Sequence, residues 1–239
     1  MCALPLESEI EYPTSDGQPM AETTLHRKVM ADVIEGLERR YAGVPDVWVG
    51  GNLFLYYEKG NRKKCVAPDV LLVQGVRKWD RDCFFLWEEK TPELIFEITS
   101  RSTRDEDEGK NKDTYERLGV PELVLFDPFG EYLEPRLQGY RLHQGRYRRI
   151  RLNTDGSLDL RTVGLTVRPE GERLRLVDTA TREKLLWNDE LEAELLAARE
   201  QATREAAARR EAEERAAAAE ERLRALAAEL ALLQNPPKT

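Results

Sequence analysis

The chain has 239 residues, enough for one large domain or one domain with an appendage. Its formal charge is −8, but 12 acids and 7 arginines fall between Asp189 and Gln234, so that stretch carries −5 and the remainder only −3. Bulk charge therefore gives no support to a nucleic-acid partner, and a local basic strip would have to supply it. Cys2, Cys65 and Cys83 have no C-x-x-C spacing, which argues against a disulfide framework or a zinc site. The acidic, proline-broken N-terminus is not a signal peptide, and no apolar run approaches the roughly 20 residues of a membrane span. A cytoplasmic protein with reduced thiols is expected.

Residues 1–15 read as an irregular lead-in. From Glu22 to Tyr41, Leu25, Val29, Val33 and Leu37 recur at helical spacing, with Thr23 or Thr24 available as the cap. "VWVGGNLFLYYE" reads as a strand bent at Gly50-Gly51, "KCVAPDVLLVQG" as a second strand, and "PELIFEITS" as a third, apolar enough to be buried on both faces. A helix is predicted from about Arg104 to Leu118, ended by Gly119, followed by the strand "PELVLFDP". Strand, helix, strand in that order predicts a crossover between parallel neighbours.

From Tyr132 to about Leu186 the pattern is β-rich. "GYRLHQGRYRRIRL" reads as a hairpin whose second strand shows Arg146, Arg148, Arg149 and Arg151. Two readings stand: a charged edge that prevents aggregation, or a strip that tracks phosphates. Residues 187–234 form a separate segment. Leu191, Leu195, Ala198 and Ala202, then Ala212, Ala216, Ala219, Leu223, Leu226, Leu230 and Leu233 alternate at spacings of 4 and 3, with Glu205 and Arg209 interrupting the seam. This predicts one helix roughly 70 Å long, forming a coiled coil with a second copy or another protein. A single helix held by i, i+4 ion pairs is the competing explanation. Residues 235–239 are a tail.

Two acids stand where apolar strands are predicted. Asp69 follows Pro68 at the start of one strand, and Glu97 sits within "IFEIT" on the next. Burying a carboxylate is costly without a cationic partner. Arg101 is one candidate. A divalent cation held by hard oxygen ligands from two neighbouring strands, Mg²⁺ or Mn²⁺, is the other.

An Asp on one strand, a Glu on the next and then a helix resembles the PD-(D/E)XK nuclease superfamily, and within it the Uma-two-type endonucleases. "DGQPMAETTLHR", "PDVLLV", "PELIFEITSRST" and "YERLGVPELVLFDP" carry the resemblance, over residues 16–186. It implies an α/β, restriction-endonuclease-like domain: a mixed central sheet flanked by helices, binding a metal at one end and hydrolysing DNA phosphodiesters. Asp69 and Glu97 would be the paired metal acids, completed by the Ile98 carbonyl. Glu22 resembles the further acid of the first helix, and His26 lies one turn on, either beside the site or as an ordinary surface histidine.

The basic residue of the motif is absent. Thr99 stands two residues after Glu97, and Asn111 stands four residues before Tyr115, where this branch carries lysine. On a regular α-helix Lys112 lies roughly 60° from Tyr115 and Lys110 roughly 140° away, so Lys112 is the better stand-in, with Lys110 and Asn111 as accessories. Asp107, one turn before Asn111, is a further accessory candidate. Asp105 and Glu106 suit a helix N-terminus without any other role. The rival expectation is a nuclease-like module with weakened chemistry that binds nucleic acid or assembles through its helix.

Overall fold

The structure, a computed structural model, describes residues 11–15, 23–101, 103, 104 and 106–234. The chain divides into two compact units, 1–187 and 188–239.

Helix α1 spans Thr24–Arg40, and Thr23 caps it by accepting the His26 main-chain N–H at 3.1 Å. Its apolar stripe, Val29, Val33 and Leu37, is fully buried. Strands β1 (Val47–Gly50), β4 (Val70–Gln74), β6 (Leu94–Ile98), β7 (Glu122–Phe126), β8 (Leu137–His143) and β9 (Arg146–Arg149) lie in that order in one mixed sheet. The predicted parallel crossover is β6 to β7; the other neighbours are antiparallel. Strands β2 (Phe54–Tyr56), β3 (Cys65–Val66) and β5 (Cys83–Phe85) make a small second sheet. Strands β10 (Leu158–Leu160), β11 (Leu165–Glu170) and β12 (Arg173–Asp178) make a third.

The central sheet is apolar on both faces, and alternation assigns its side chains to two cores. Leu94, Phe96 and Ile98 of β6 face α1 and the β10–β12 sheet, while Ile95 faces Leu55, Phe84 and Tyr115. Arg173 on β12 forms a two-pronged ion pair with Asp32 on α1, at 2.6 and 2.7 Å. Trp187 is held between the guanidinium groups of Arg173 and Arg175, 3.7 and 3.4 Å from its ring centroid.

Three expectations change. The run "VWVGGNLFLYYE" is divided between two sheets, because the chain turns at Gly51-Asn52. "KCVAPDVLLVQG" is likewise split into β3 and β4, since Pro68 cannot donate to a ladder and its carbonyl instead accepts the Asn52 N–H at 2.9 Å. The helix after β6 is not uniform: Glu106–Asn111 is π-helical, and the α-helix, α2, covers only Lys112–Leu118. Gly119 ends it in the left-handed conformation, φ 80°.

The unit 188–239 contains helix α3, Asn188–Gln234, 47 residues long. Leu223, Leu226 and Leu230 are half to two-thirds exposed within it, and pairs such as Glu200–Arg204 and Arg209–Glu213 run along its surface. No helix among the described residues is long and apolar enough to cross a membrane.

Candidate active site

Val70 pairs with Phe96 across the antiparallel β4–β6 ladder, so the next residues outward, Asp69 and Glu97, stand opposite each other at the end of the pair. The Asp69 main-chain N–H donates to Glu97 Oε2 at 3.1 Å. The Asp69 Oδ2 atom accepts the Ile98 N–H at 2.6 Å and lies 3.1 Å from His26 Nε2. Tyr115 of α2 donates its phenol proton to Glu97 Oε1 at 2.6 Å. The acids therefore close over the strand ends between α1 and α2.

Gly51 makes this approach possible. A Cβ at that position would come within 1.8 Å of the Asp69 carbonyl oxygen. The next residue, Asn52, takes a positive φ of 52° and lines the cleft. The cleft encloses about 310 Å³, lined among others by His26, Asp69, Arg101, Thr103 and Tyr132.

The electrostatics separate this site from the other buried acids. Glu122 is fully buried, but Arg141 grips it at 2.7 and 2.8 Å, and the Arg161 and Thr162 N–H groups donate to it. Asp127 is fully buried and accepts the N–H groups of Phe129 and Leu133. Glu97 is 3 % exposed and, among the described residues, has no such cation, its partners being the Asp69 N–H and the Tyr115 hydroxyl. Burial, then the negative charges of Asp69 and Asp107, hold its carboxyl well above the usual range. Asp107 is 4 % exposed, and burial with the charge of Asp69 pushes it up to about 7. Arg101, the candidate ion-pair partner, is exposed and lines the cleft.

A family model described as "Putative restriction endonuclease", the Uma2 model, matches residues 1–169. The chain belongs to the Uma2 family. Among solved structures it is similar to a crystal structure from Anabaena variabilis of "a putative nuclease belonging to DUF820", with 13 % identity, coverage of 59 % of this chain and 74 % of that one, and a TM-score of 0.44. No curated protein matches the chain.

The site residues expected of this Uma2 chain are placed unevenly. Asp69, Glu97 and His26 are brought together, with Asp107 close enough to perturb Glu97. Glu22 lies outside the described residues. The Lys112 ammonium sits 5.1 Å from the Tyr140 ring centroid on β8, two strands from Glu97. The expected angles hold only for one regular helix. The π segment before Lys112 breaks that phase, and the side chain instead gains a cation–π contact. Lys110 is exposed. Asn111 lies beside Asp107.

The arginines do not form one strip. Arg146 pairs with Glu116 at 2.9 Å, and alternation puts Arg148 and Arg149 on opposite faces of β9. Arg149 donates to the Glu134 carbonyl at 3.4 Å. Arg151 instead lines an open cleft of about 970 Å³ with Arg168, Arg182 and Lys184. Arg101 is the functional candidate that sequence reasoning weighed only as an ion-pair partner; its place just past β6 was the available signal.

Among the described residues, no three His, Cys, Asp or Glu side chains are arranged to hold a metal ion. The fit to a divalent cation rests on two acids. Asp69 and Glu97 present hard oxygens at one strand end, and Glu97 is held there without a cation against a strong desolvation cost.

Proposed function

We propose that this chain is a metal-dependent endonuclease that hydrolyses phosphodiester bonds of DNA. One observation carries the reading: within a restriction-endonuclease family, Asp69 and Glu97 meet at a strand end, and Glu97 is buried beside the charges of Asp69 and Asp107 with no cation against it among the described residues. Asp69 and Glu97, with the Ile98 carbonyl, would hold Mg²⁺ or Mn²⁺. Such an ion, when bound, supplies Lewis acidity at a phosphate oxygen and lowers the pKa of a coordinated water.

The protein's own groups do the rest. His26, at 3.1 Å, and the Ile98 N–H fix the orientation of the Asp69 carboxylate. Tyr115 fixes Glu97 from the opposite side. Arg101 at the mouth of the cleft is the cation placed to meet a phosphate. Arg148 and Arg151, both exposed and on separate faces, are further candidates for phosphate contact. Helix α3, with its exposed leucine seam, brings two copies or a coiled-coil partner together.

The test is cleavage of supercoiled plasmid with Mg²⁺ or Mn²⁺, abolished by chelation. RNA of the same length is the comparison substrate. A second reading, a weakened nuclease-like module that binds without cutting, is favoured by the turned-away Lys112 and by Thr99 and Asn111 in place of lysine. It predicts DNA binding with no product under any divalent ion.

A further inference from the structure

The Phe129 ring is 45 % exposed, yet the loop that carries it is firmly held. The fully buried Asp127 carboxylate accepts the main-chain N–H groups of Phe129, Tyr132 and Leu133 at 2.9, 2.5 and 3.0 Å. Arg136 donates to the carbonyls of Asp127 and Pro128 at 3.1 and 2.5 Å. Single exposed apolar side chains are ordinary on a protein surface. An exposed ring on a loop pinned by a buried carboxylate, and lining a cleft, is a different case.

The topology puts that loop beside the paired acids. Strands β6 and β7 are parallel with Ile98 opposite Phe126, and the Thr99 N–H donates to the Phe126 carbonyl at 2.8 Å. The loop leaving β7 at Asp127 therefore starts at the strand end where Asp69 and Glu97 meet. Phe129 and Tyr132 line the same cleft as Asp69 and Arg101. At about 310 Å³ that cleft is on the scale of one nucleotide rather than of a length of duplex. It combines a carboxylate, a guanidinium suited to phosphate and two aromatic rings. Paired bases stack on one another inside a duplex and turn no π-face outward. An unpaired base offers that face whatever its identity, and aromatic side chains are what it stacks on.

We propose that Phe129 is a stacking platform for an unpaired nucleobase, with Tyr132 as the second ring of the cleft, so that the substrate is single-stranded DNA or a duplex opened at the cut. This rests on the nuclease reading. The base beside the scissile phosphate lies on Phe129 while Arg101 meets the backbone, and the stacked base fixes which phosphate reaches the acids. An already unpaired strand is preferred because unpairing a duplex base costs free energy that a single strand does not pay.

The experiment uses the full chain with three probes: a single-stranded deoxyoligonucleotide, the same strand annealed to its complement, and a series of single strands in which one abasic site is moved along. Affinity is read by fluorescence anisotropy with Ca²⁺ in place of Mg²⁺, and cleavage with Mg²⁺ or Mn²⁺. Wild type is expected to bind and cut the single strand in preference to the duplex, by about tenfold or more. Phe129→Ala and Phe129→Leu lower single-strand affinity by about tenfold, since leucine keeps apolar surface but has no π-face, and Phe129→Trp retains it. Duplex binding, made through phosphates, stays within about twofold. At one position the abasic strand costs wild type about the same tenfold and costs Phe129→Ala nothing further. Melting temperatures do not change, because the ring is exposed. A Phe129→Leu that binds single strands like wild type overturns the proposal, as does a wild type that favours the duplex or an abasic series with no sensitive position. If wild type cuts no strand under any divalent ion, the nuclease reading fails and the proposal with it. That outcome is distinct from a wild type that cuts while its Phe129 variants bind unchanged.

Discussion

Asp69 and Glu97 are joined through the backbone as well as facing each other: the Asp69 N–H donates to the Glu97 carboxyl, and the Asp69 carboxylate accepts the N–H of Ile98, the residue after Glu97. Neither acid can shift without the other. Asp69→Asn and Glu97→Gln are each expected to lower cleavage by at least about 100-fold. Circular dichroism should be unchanged, because the amide of Glu97→Gln still accepts the Tyr115 bond. Cleavage within tenfold of wild type for either variant would remove that residue from the site.

The same crowding gives the metal-free protein an unusual pH dependence. Asp107 is raised from 3.8 to about 7, and Glu97 moves in the same direction. Between those pH values the folded state holds protons that the unfolded state has released. Stability is therefore greatest at the acid end of that window and is lost as pH rises across it to about 7. For Asp107 the loss is on the order of 4 kcal/mol at most. Chelator-treated protein should need less denaturant to unfold at pH 8 than at pH 5. Mg²⁺ should recover part of the difference at pH 8. Stability that climbs with pH over this range would contradict the placement of Asp107.

Lys112→Ala is expected to leave cleavage within about threefold of wild type. Its ammonium rests over Tyr140, a contact worth about 0.5–1 kcal/mol at a partly exposed site. A large loss of activity with unchanged stability would show that the side chain swings to the cleft when substrate arrives.

Glu122 gives the contrasting result. Glu122→Ala strands the Arg141 guanidinium and the N–H groups of Arg161 and Thr162. Destabilisation of about 3–5 kcal/mol is expected in denaturant titrations, with no specific loss of Mg²⁺ affinity in the folded fraction.

Removing residues 188–239 should lower the subunit number seen by light scattering and leave the cleavage site intact. Leu223, Leu226 and Leu230 supply most of the apolar surface of the last third of the helix, at about 0.8 kcal/mol per methylene buried. Equal subunit numbers with and without the helix would leave a partner protein or the lone charged helix as the explanation.

Much of this site could be read in the sequence because its determinants are local and periodic. The spacing of Val29, Val33 and Leu37 gives α1, the apolar run around Glu97 gives β6, and Gly119 gives the end of α2. What separates Glu97 from Glu122 is not local. Both are acids in runs of apolar strand-forming residues, and "PELIFE" and "PELVLF" begin alike. Only the fold brings Arg141 to one and Asp69 to the other. The orientation of Lys112 was hidden for a related reason: periodicity assumes a uniform helix, and nothing in "EDEGKN" announces a π turn. The breaks at Gly51 and Pro68 carried visible signals, but not which sheet each half would join.

At Gly51 a single carbon atom separates tolerance from exclusion, since any side chain there would collide with the Asp69 carbonyl. Saturation mutagenesis scored only for folded yield should therefore show a position restricted to glycine, flanked by the more permissive Asn52. At Glu97 the same scan should show neutral substitutions accepted, even favoured, because they relieve a buried charge. Scored for cutting, the pattern at Glu97 should invert while that at Gly51 should not. That difference between two scans would sort the residues that build the cleft from those that work in it, whatever base sequence the substrate carries.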